Sequence, residues 1–135
     1  MNMKMIVAIV VVVLLLVGGF AAYTYFTGRE KPEIRIEYAV GDNFITNTTD
    51  GRFLRTMPVL VINTDDEKMI TLLDNSKGMI RDSIIRIQRN YNGDQLEAED
   101  AMDIVRNDFI AELNARFEFA SPVIVDIVFY DFVLQ

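Results

Sequence analysis

Residues 5–26, MIVAIVVVVLLLVGGFAAYTYF, form a run of 22 with no charged side chain. At about 1.5 Å per residue such a helix spans about 33 Å, enough to cross a hydrocarbon core of about 30 Å. A buried helix of a globular domain normally keeps a polar stripe. This run has none, so the sequence predicts a transmembrane helix over residues 5–26. The competing reading is a cleaved signal peptide, with Gly19-Phe20-Ala21 as its cleavage site. Against it, the run exceeds the roughly 7–15 apolar residues of a signal core. It also continues through Tyr23, Tyr25 and Phe26, placed as an interfacial aromatic belt.

Lys4 flanks one side of the run; Arg29, Lys31 and Arg35 flank the other. A bare count of positive charge leans against export of the C-terminal part. Large domains translocate largely regardless of charge, however. A short tail, residues 1–4, before a long apolar run has the form of an uncleaved signal anchor. The expected organisation is a cytoplasmic tail at 1–4, a membrane helix at 5–26, a polar linker at 27–33 and an extracytoplasmic domain at 34–135.

All but Lys4 of the 13 basic residues, and all 20 acidic ones, lie beyond the apolar run, which leaves that part with a net charge of −8. This balance disfavours nucleic acid and anionic lipid as partners. The chain has no cysteine, histidine or tryptophan. Disulfides, thiolate or imidazole metal sites and the Ser-His-Asp and Cys-His nucleophile arrangements are therefore excluded. No glycine-rich phosphate loop is present. Two carboxylate groups, Asp65-Asp66-Glu67 and Glu97 with Glu99-Asp100, read as solvated helix starts rather than acid/base pairs. Asn90 to Glu97 lacks the ligand spacing of a calcium loop. The expected inventory is no catalytic residue, no cofactor and no metal.

Ile34 to Val40 alternates apolar and polar residues, a strand signal. Gly41-Asp42-Asn43 breaks it, Phe44 to Thr46 reads as a short strand, and Asn47 to Gly51 as a turn that contains a glycosylation-type triplet, Asn47-Thr48-Thr49. Phe53 to Ile62 reads as a longer strand, in which Pro58 implies an edge position or a bulge. Arg52 and Arg55 project to opposite faces and read as paired surface charge, with a subunit contact as the alternative. Met69, Leu73, Ile80, Ile84 and Ile87 recur at helical spacing, with Gly78 a point of bending or splitting. A second helix is expected from Gln95 to Phe117. In the last strand, Val123 to Leu134, one face carries Val123, Val125, Ile127, Phe129 and Val133. The other carries Ile124, Val128, Tyr130, Phe132 and Leu134. Apolar residues on both faces predict a strand inside a sheet and covered on both sides, one side by helices and the other by a second copy. The chain stops at FYDFVLQ with no polar tail, which again predicts a docked end. Gly18 and Ala22 form a small-xxx-small pair suited to helix–helix contact.

Four segments in order resemble the FliL family of flagellar basal-body-associated membrane proteins. A short tail and one membrane helix come first. Gly51-Arg52-Phe53-Leu54-Arg55 is similar to the family's G-R-Y-L-(K/R), and Met79-Ile80-Arg81-Asp82-Ser83-Ile84-Ile85 is similar to its I-R-D-A-I-I. Val128-Phe129-Tyr130-Asp131-Phe132-Val133-Leu134-Gln135 resembles its closing V-Y-F-T-D-F-V-I-Q. Two places depart: Ile87-Gln88-Arg89-Asn90-Tyr91 stands where members read L-S-x-K-T, and Glu99-Asp100 where a glycine is common. The resemblance implies an α+β fold: a membrane helix joined to a small stomatin-like (SPFH-like) domain with an antiparallel-rich sheet, two helices and a long C-terminal strand. It implies a non-enzymatic protein at the flagellar basal body in the inner membrane, self-associating into an arc or ring beside the ion-driven stator and supporting rotation, swimming and swarming. No small-molecule substrate is implied. The alternatives are a stomatin-like scaffold for a non-flagellar complex and an exported enzyme working through paired carboxylates.

Overall fold

The computed structural model describes residues 2–28 and 32–135. The chain divides into two units, residues 1–33 and 34–135. The first contains helix α1, Met3–Thr27, none of whose residues is buried. The helix therefore begins two residues before the apolar run. At its end the Thr24 and Thr27 hydroxyls donate to the carbonyls of Ala21 and Tyr23, at 3.0 and 2.7 Å, so both hydroxyls are satisfied within the helix. The expected linker at 27–33 lies partly outside the described residues, since Arg29, Glu30 and Lys31 are not among them.

The second unit is an antiparallel sheet with its helices packed on one face. In chain order it runs β1 (Ile36–Ala39), β2 (Phe44–Asn47), β3 (Phe53–Ile62), α2 (Glu67–Asn75), α3 (Lys77–Gln88), α4 (Gly93–Glu97), α5 (Ala101–Phe117) and β4 (Ile124–Leu134). β3 is the spine. β4 pairs along one side of it, from Leu54↔Leu134 to Ile62↔Ile124. The other side is shared end to end, β2 against Phe53–Thr56 and β1 against Val59–Ile62. Pro58 falls in the gap between those two short strands and at a register shift against β4. The bulge expected of Pro58 is there, but the strand is central, because the missing N–H sits where neither β1 nor β2 pairs. Gly51, at φ +85°, closes the β2–β3 turn in a conformation that favours glycine.

Both expected helices are divided. The first breaks at Ser76 rather than at Gly78, which lies inside the first turn of α3. The second breaks at Ala98, whose extended backbone (φ −62°, ψ 147°) separates α4 from α5. The domain thus has four helices where two were expected. α3 and α5 pack on each other, α5 against β4 and α3 against β2. Leu54, Leu60 and Ile62 from β3, Ile80 and Ile84 from α3, Val105, Phe109 and Leu113 from α5, and Ile124 and Ile127 from β4 build one buried core.

β4 corrects the sequence reading twice. It is an edge strand paired with β3 alone, not an interior one. It also does not alternate evenly. Between Pro58↔Phe129 and Thr56↔Phe132, and again between Val61↔Asp126 and Ile62↔Ile124, β4 carries one residue more than β3. Each extra residue reverses the facing of the residues beyond it. Ile124, Ile127, Phe129, Phe132 and Leu134 therefore all join the core, although strict alternation divides them between two faces.

Candidate functional site

The face of the sheet away from the helices is built by the other half of each strand. Val59 and Val61 are buried yet lie outside the main core. What covers them are side chains that reach across β3 from its two neighbours. Arg35, just before β1, pairs with Asp126 of β4 at 3.1 Å, and the Tyr130 hydroxyl of β4 donates to Glu37 of β1. That contact raises the Tyr130 pKa, first through the hydrogen bond and then through the Glu37 charge. Farther along, Arg55 pairs with Asp131 at 2.7 Å. Around this pair Ile45, Phe53 and Tyr130 are 64, 50 and 59% exposed. These three give the outer face of the sheet exposed apolar surface at this end.

The free edge of β4 is unequal along its length. In its first half the side chains of α5 occupy it. The Asn114 amide accepts the N–H groups of Val123 and Ile124, both at 3.1 Å, and donates to the Ile124 carbonyl at 2.8 Å. Eight residues earlier on the helix, Arg106 Nε donates to the Ile127 carbonyl at 2.9 Å, and the Ile127 N–H donates to Asp126 at 2.8 Å. Side chains that take up edge groups in this way block strand addition. From Tyr130 to Leu134 no described strand or helix side chain does the same. Just past the strand, Gln135 exchanges two 2.8 Å backbone hydrogen bonds with Phe53. The docked end expected from FYDFVLQ is thus explained by pairing with β3.

A second feature lies at the α4–α5 break. Helix α4 is short but held firmly. Asn92 and Gln95 form a capping box at its start. Asp50, from the β2–β3 turn, accepts the Gly93 N–H at 3.0 and 3.1 Å and the Thr48 hydroxyl at 2.5 Å. The Thr48 bond is the main reason that the Asp50 carboxyl titrates below its ordinary range. Arg52 reaches over Gly93 to pair with Glu97 at 2.8 Å. A Cβ on residue 93 would lie 2.3 to 2.9 Å from three Arg52 atoms, so glycine is what lets the arginine cross. Between α4 and α5 the structure leaves a mostly apolar cavity of about 190 Å³, walled by Tyr91, Leu96, Ala98, Ala101, Ile104 and Val105 with Gln95 as its one polar residue.

The structure separates the residues singled out in the sequence. Asp65 is exposed, Asp66 caps α2 by accepting the Lys68 N–H at 3.0 Å, and Glu67 is in the first turn. Glu97, Glu99 and Asp100 lie at the α4–α5 break, so the two carboxylate groups stand on different elements. Among the described residues no group of three or more carboxylates is placed to hold a metal ion. Arg52 and Arg55 are each paired, with Glu97 and Asp131, as the reading of paired surface charge expects. Asn47 is exposed at the end of β2, but Thr48 beside it is buried. The sequence reading missed Asn114 and Arg106. Their spacing of eight puts them on one helix face, yet their targets depend on the β4 register, which no local pattern displays.

A helix long and apolar enough to cross a membrane and an antiparallel α+β domain that presents surfaces define a membrane-associated component with an accessory domain. The particular family is shown by comparison: the chain belongs to the FliL family, since the model described as flagellar basal body-associated protein FliL matches residues 37–135. This is a flagellar accessory family and not a known enzyme family. No curated protein matches the chain at a significant level.

Proposed function

We propose that this chain is anchored by α1 in the inner membrane, with its N-terminus cytoplasmic and residues 34–135 outside, and that the domain associates with the flagellar stator and supports torque. In this reading the domain is of the stomatin (SPFH-like) type and assembles with further copies into an arc or ring. A partner that binds one stator state more tightly favours that state by its differential affinity, so the protein acts by holding the stator in a torque-competent form.

The observation that supports assembly best is the unequal edge of β4. Asn114 and Arg106 occupy its first half, while Tyr130 to Leu134 stays free beside the exposed Ile45, Phe53 and Tyr130. A second copy on that half-edge and face would take up the free backbone groups. The test is a fluorescent tag on the C-terminus, imaged at motors in cells with and without the stator subunits. Foci that coincide with motors and fade when the stator is deleted support the proposal. Foci that persist without the stator, or swimming unchanged when the gene is removed, refute it.

A further inference from the structure

We infer that the cavity between α4 and α5 is a docking site for a positively charged segment of a protein partner that inserts one large apolar side chain. The inference goes beyond the stator reading, because it specifies the chemistry of an occupant and holds whatever complex that occupant belongs to.

Three observations lead there. The cavity is mostly apolar and, at about 190 Å³, falls below the roughly 300 Å³ at which small-molecule sites begin. It suits one leucine or phenylalanine side chain, the kind of anchor that dominates protein contacts. Its existence is rooted in the sequence: Ala98 and Ala101 are too small to fill the space that the extended Ala98 backbone opens. Its walls are also held before anything binds. The capping box, the Asp50 bonds to Gly93 and the Arg52–Glu97 pair fix α4 to the β2–β3 turn, so little ordering is required on association.

The rim sets the charge of the occupant. From Asp94 to Val105 the chain carries five acidic side chains, Asp94, Glu97, Glu99, Asp100 and Asp103, and no basic one. Glu97 and Asp103 are paired with Arg52 and Arg106. Glu99 and Asp100 are exposed and make no ion pair among the described residues. Glu99 and Asp100 link Ala98 to Ala101, two residues of the wall, and exposed, unpaired carboxylates so close to an apolar hole repel an acidic segment and steer a basic one. Ile104, part of the wall and 44% exposed, carries the apolar contact out to the surface.

The test uses the full chain in neutral-detergent micelles and three fluorescein-labelled 12-residue peptides. The first is a lysine–serine peptide with one central phenylalanine, the second has alanine in place of the phenylalanine, and the third has glutamate in place of the lysines. Fluorescence anisotropy should show the phenylalanine peptide binding at least about tenfold more tightly than the alanine one, and the glutamate peptide not binding. Ala98→Phe fills the hole from its exposed rim and should weaken binding at least about tenfold with an unchanged melting temperature. Glu99→Lys with Asp100→Lys alters only the rim; the loss it causes should be large at about 50 mM salt and shrink at about 300 mM, as screening predicts.

Equal binding of the first two peptides, or equal binding by the parent chain and Ala98→Phe, would overturn the inference. So would an Ala98→Phe chain that loses self-association while the parent binds no peptide, since the hole would then belong to a contact between copies. Failure of the motor reading shows itself separately, as unchanged swimming without the gene, and leaves the binding result as it stands.

Discussion

Phe132 and Val133 are neighbours in β4 and give the sharpest test of its facing. Phe132 lies opposite Thr56 and packs edge-on against Phe129, 5.3 Å between ring centres, with Phe129 in turn 5.9 Å from Phe109. Val133 lies opposite Arg55 on the other face. Strict alternation would place Val133, not Phe132, beside Ile127 and Phe129. Phe132 is half-buried, so Phe132→Ala should cost about half of a fully buried phenylalanine with its ring contact, or about 2–3 kcal/mol. Val133→Ala should cost less than about 1 kcal/mol. For a domain of this size that corresponds to a fall in melting temperature of about 8–20 °C against less than about 6 °C. Near-ultraviolet circular dichroism of the full chain in detergent micelles would measure both. Phe132→Asp adds a poorly solvated carboxylate, worth several kcal/mol more, against a total stability of about 5–15 kcal/mol. That variant should fail to fold and fail to support swimming. A Val133→Ala chain as destabilised as Phe132→Ala would refute the two-bulge description of the strand, and a stable, motile Phe132→Asp chain would refute the docking of its end.

Asn114→Ala should cost about 2–3 kcal/mol, because it strands the Val123 and Ile124 N–H groups and the Ile124 carbonyl at once; amide exchange at Val123 and Ile124 should accelerate, and protection at both sites unchanged from the parent would contradict the clamp. Gln88, fully buried, donates to the Thr56 hydroxyl while its own carbonyl oxygen finds no partner among the described residues. Thr56→Val and Gln88→Met should each destabilise by about 1–3 kcal/mol, whereas the double variant should lie near the parent in a urea melt; simple addition of the two losses would argue against this. Burial, then the hydrogen bonds to Asp74 and Asp108, pushes the Tyr38 and Tyr91 hydroxyls well above their ordinary pKa of 10.0. Their neutral forms are favoured in the folded chain, so the stability they contribute is complete below pH 10 and is lost as pH rises beyond it and the unfolded chain ionises first. The melting temperature should fall in that range, less steeply in a Tyr38→Phe/Tyr91→Phe chain; an identical alkaline slope in that chain would count against the assignment.

The range of the forces involved decides what the sequence displays and what it conceals. β3 is legible from Phe53 to Ile62 because its limits are local: a turn with Gly51 on one side and Asn63 with the acidic start of α2 on the other. The helical faces of α3 and α5 are legible because Ile80, Ile84, Val105, Phe109 and Leu113 repeat at the helical period. The breaks are less so. Gly78 is the visible weak point, yet the chain divides at Ser76, since a glycine in the first turn of α3 costs little, whereas Ser76 must serve as the end of one helix and the start of the next. Ala98, a good helix former, is extended because α4 is held by Asp50 and Arg52 from a distant turn. The same limit applies to the surfaces. β4 looks covered on both sides because its two bulges send Ile124, Ile127, Phe129, Phe132 and Leu134 to one face, a consequence of register with β3 that composition does not show. The outer face is then covered by partners far apart in the chain, Arg35 with Asp126 and Glu37 with Tyr130. A strand that seemed to require a second layer thus meets much of that need within its own sheet, and what stays open around it on this face is the exposed Ile45, Phe53 and Tyr130.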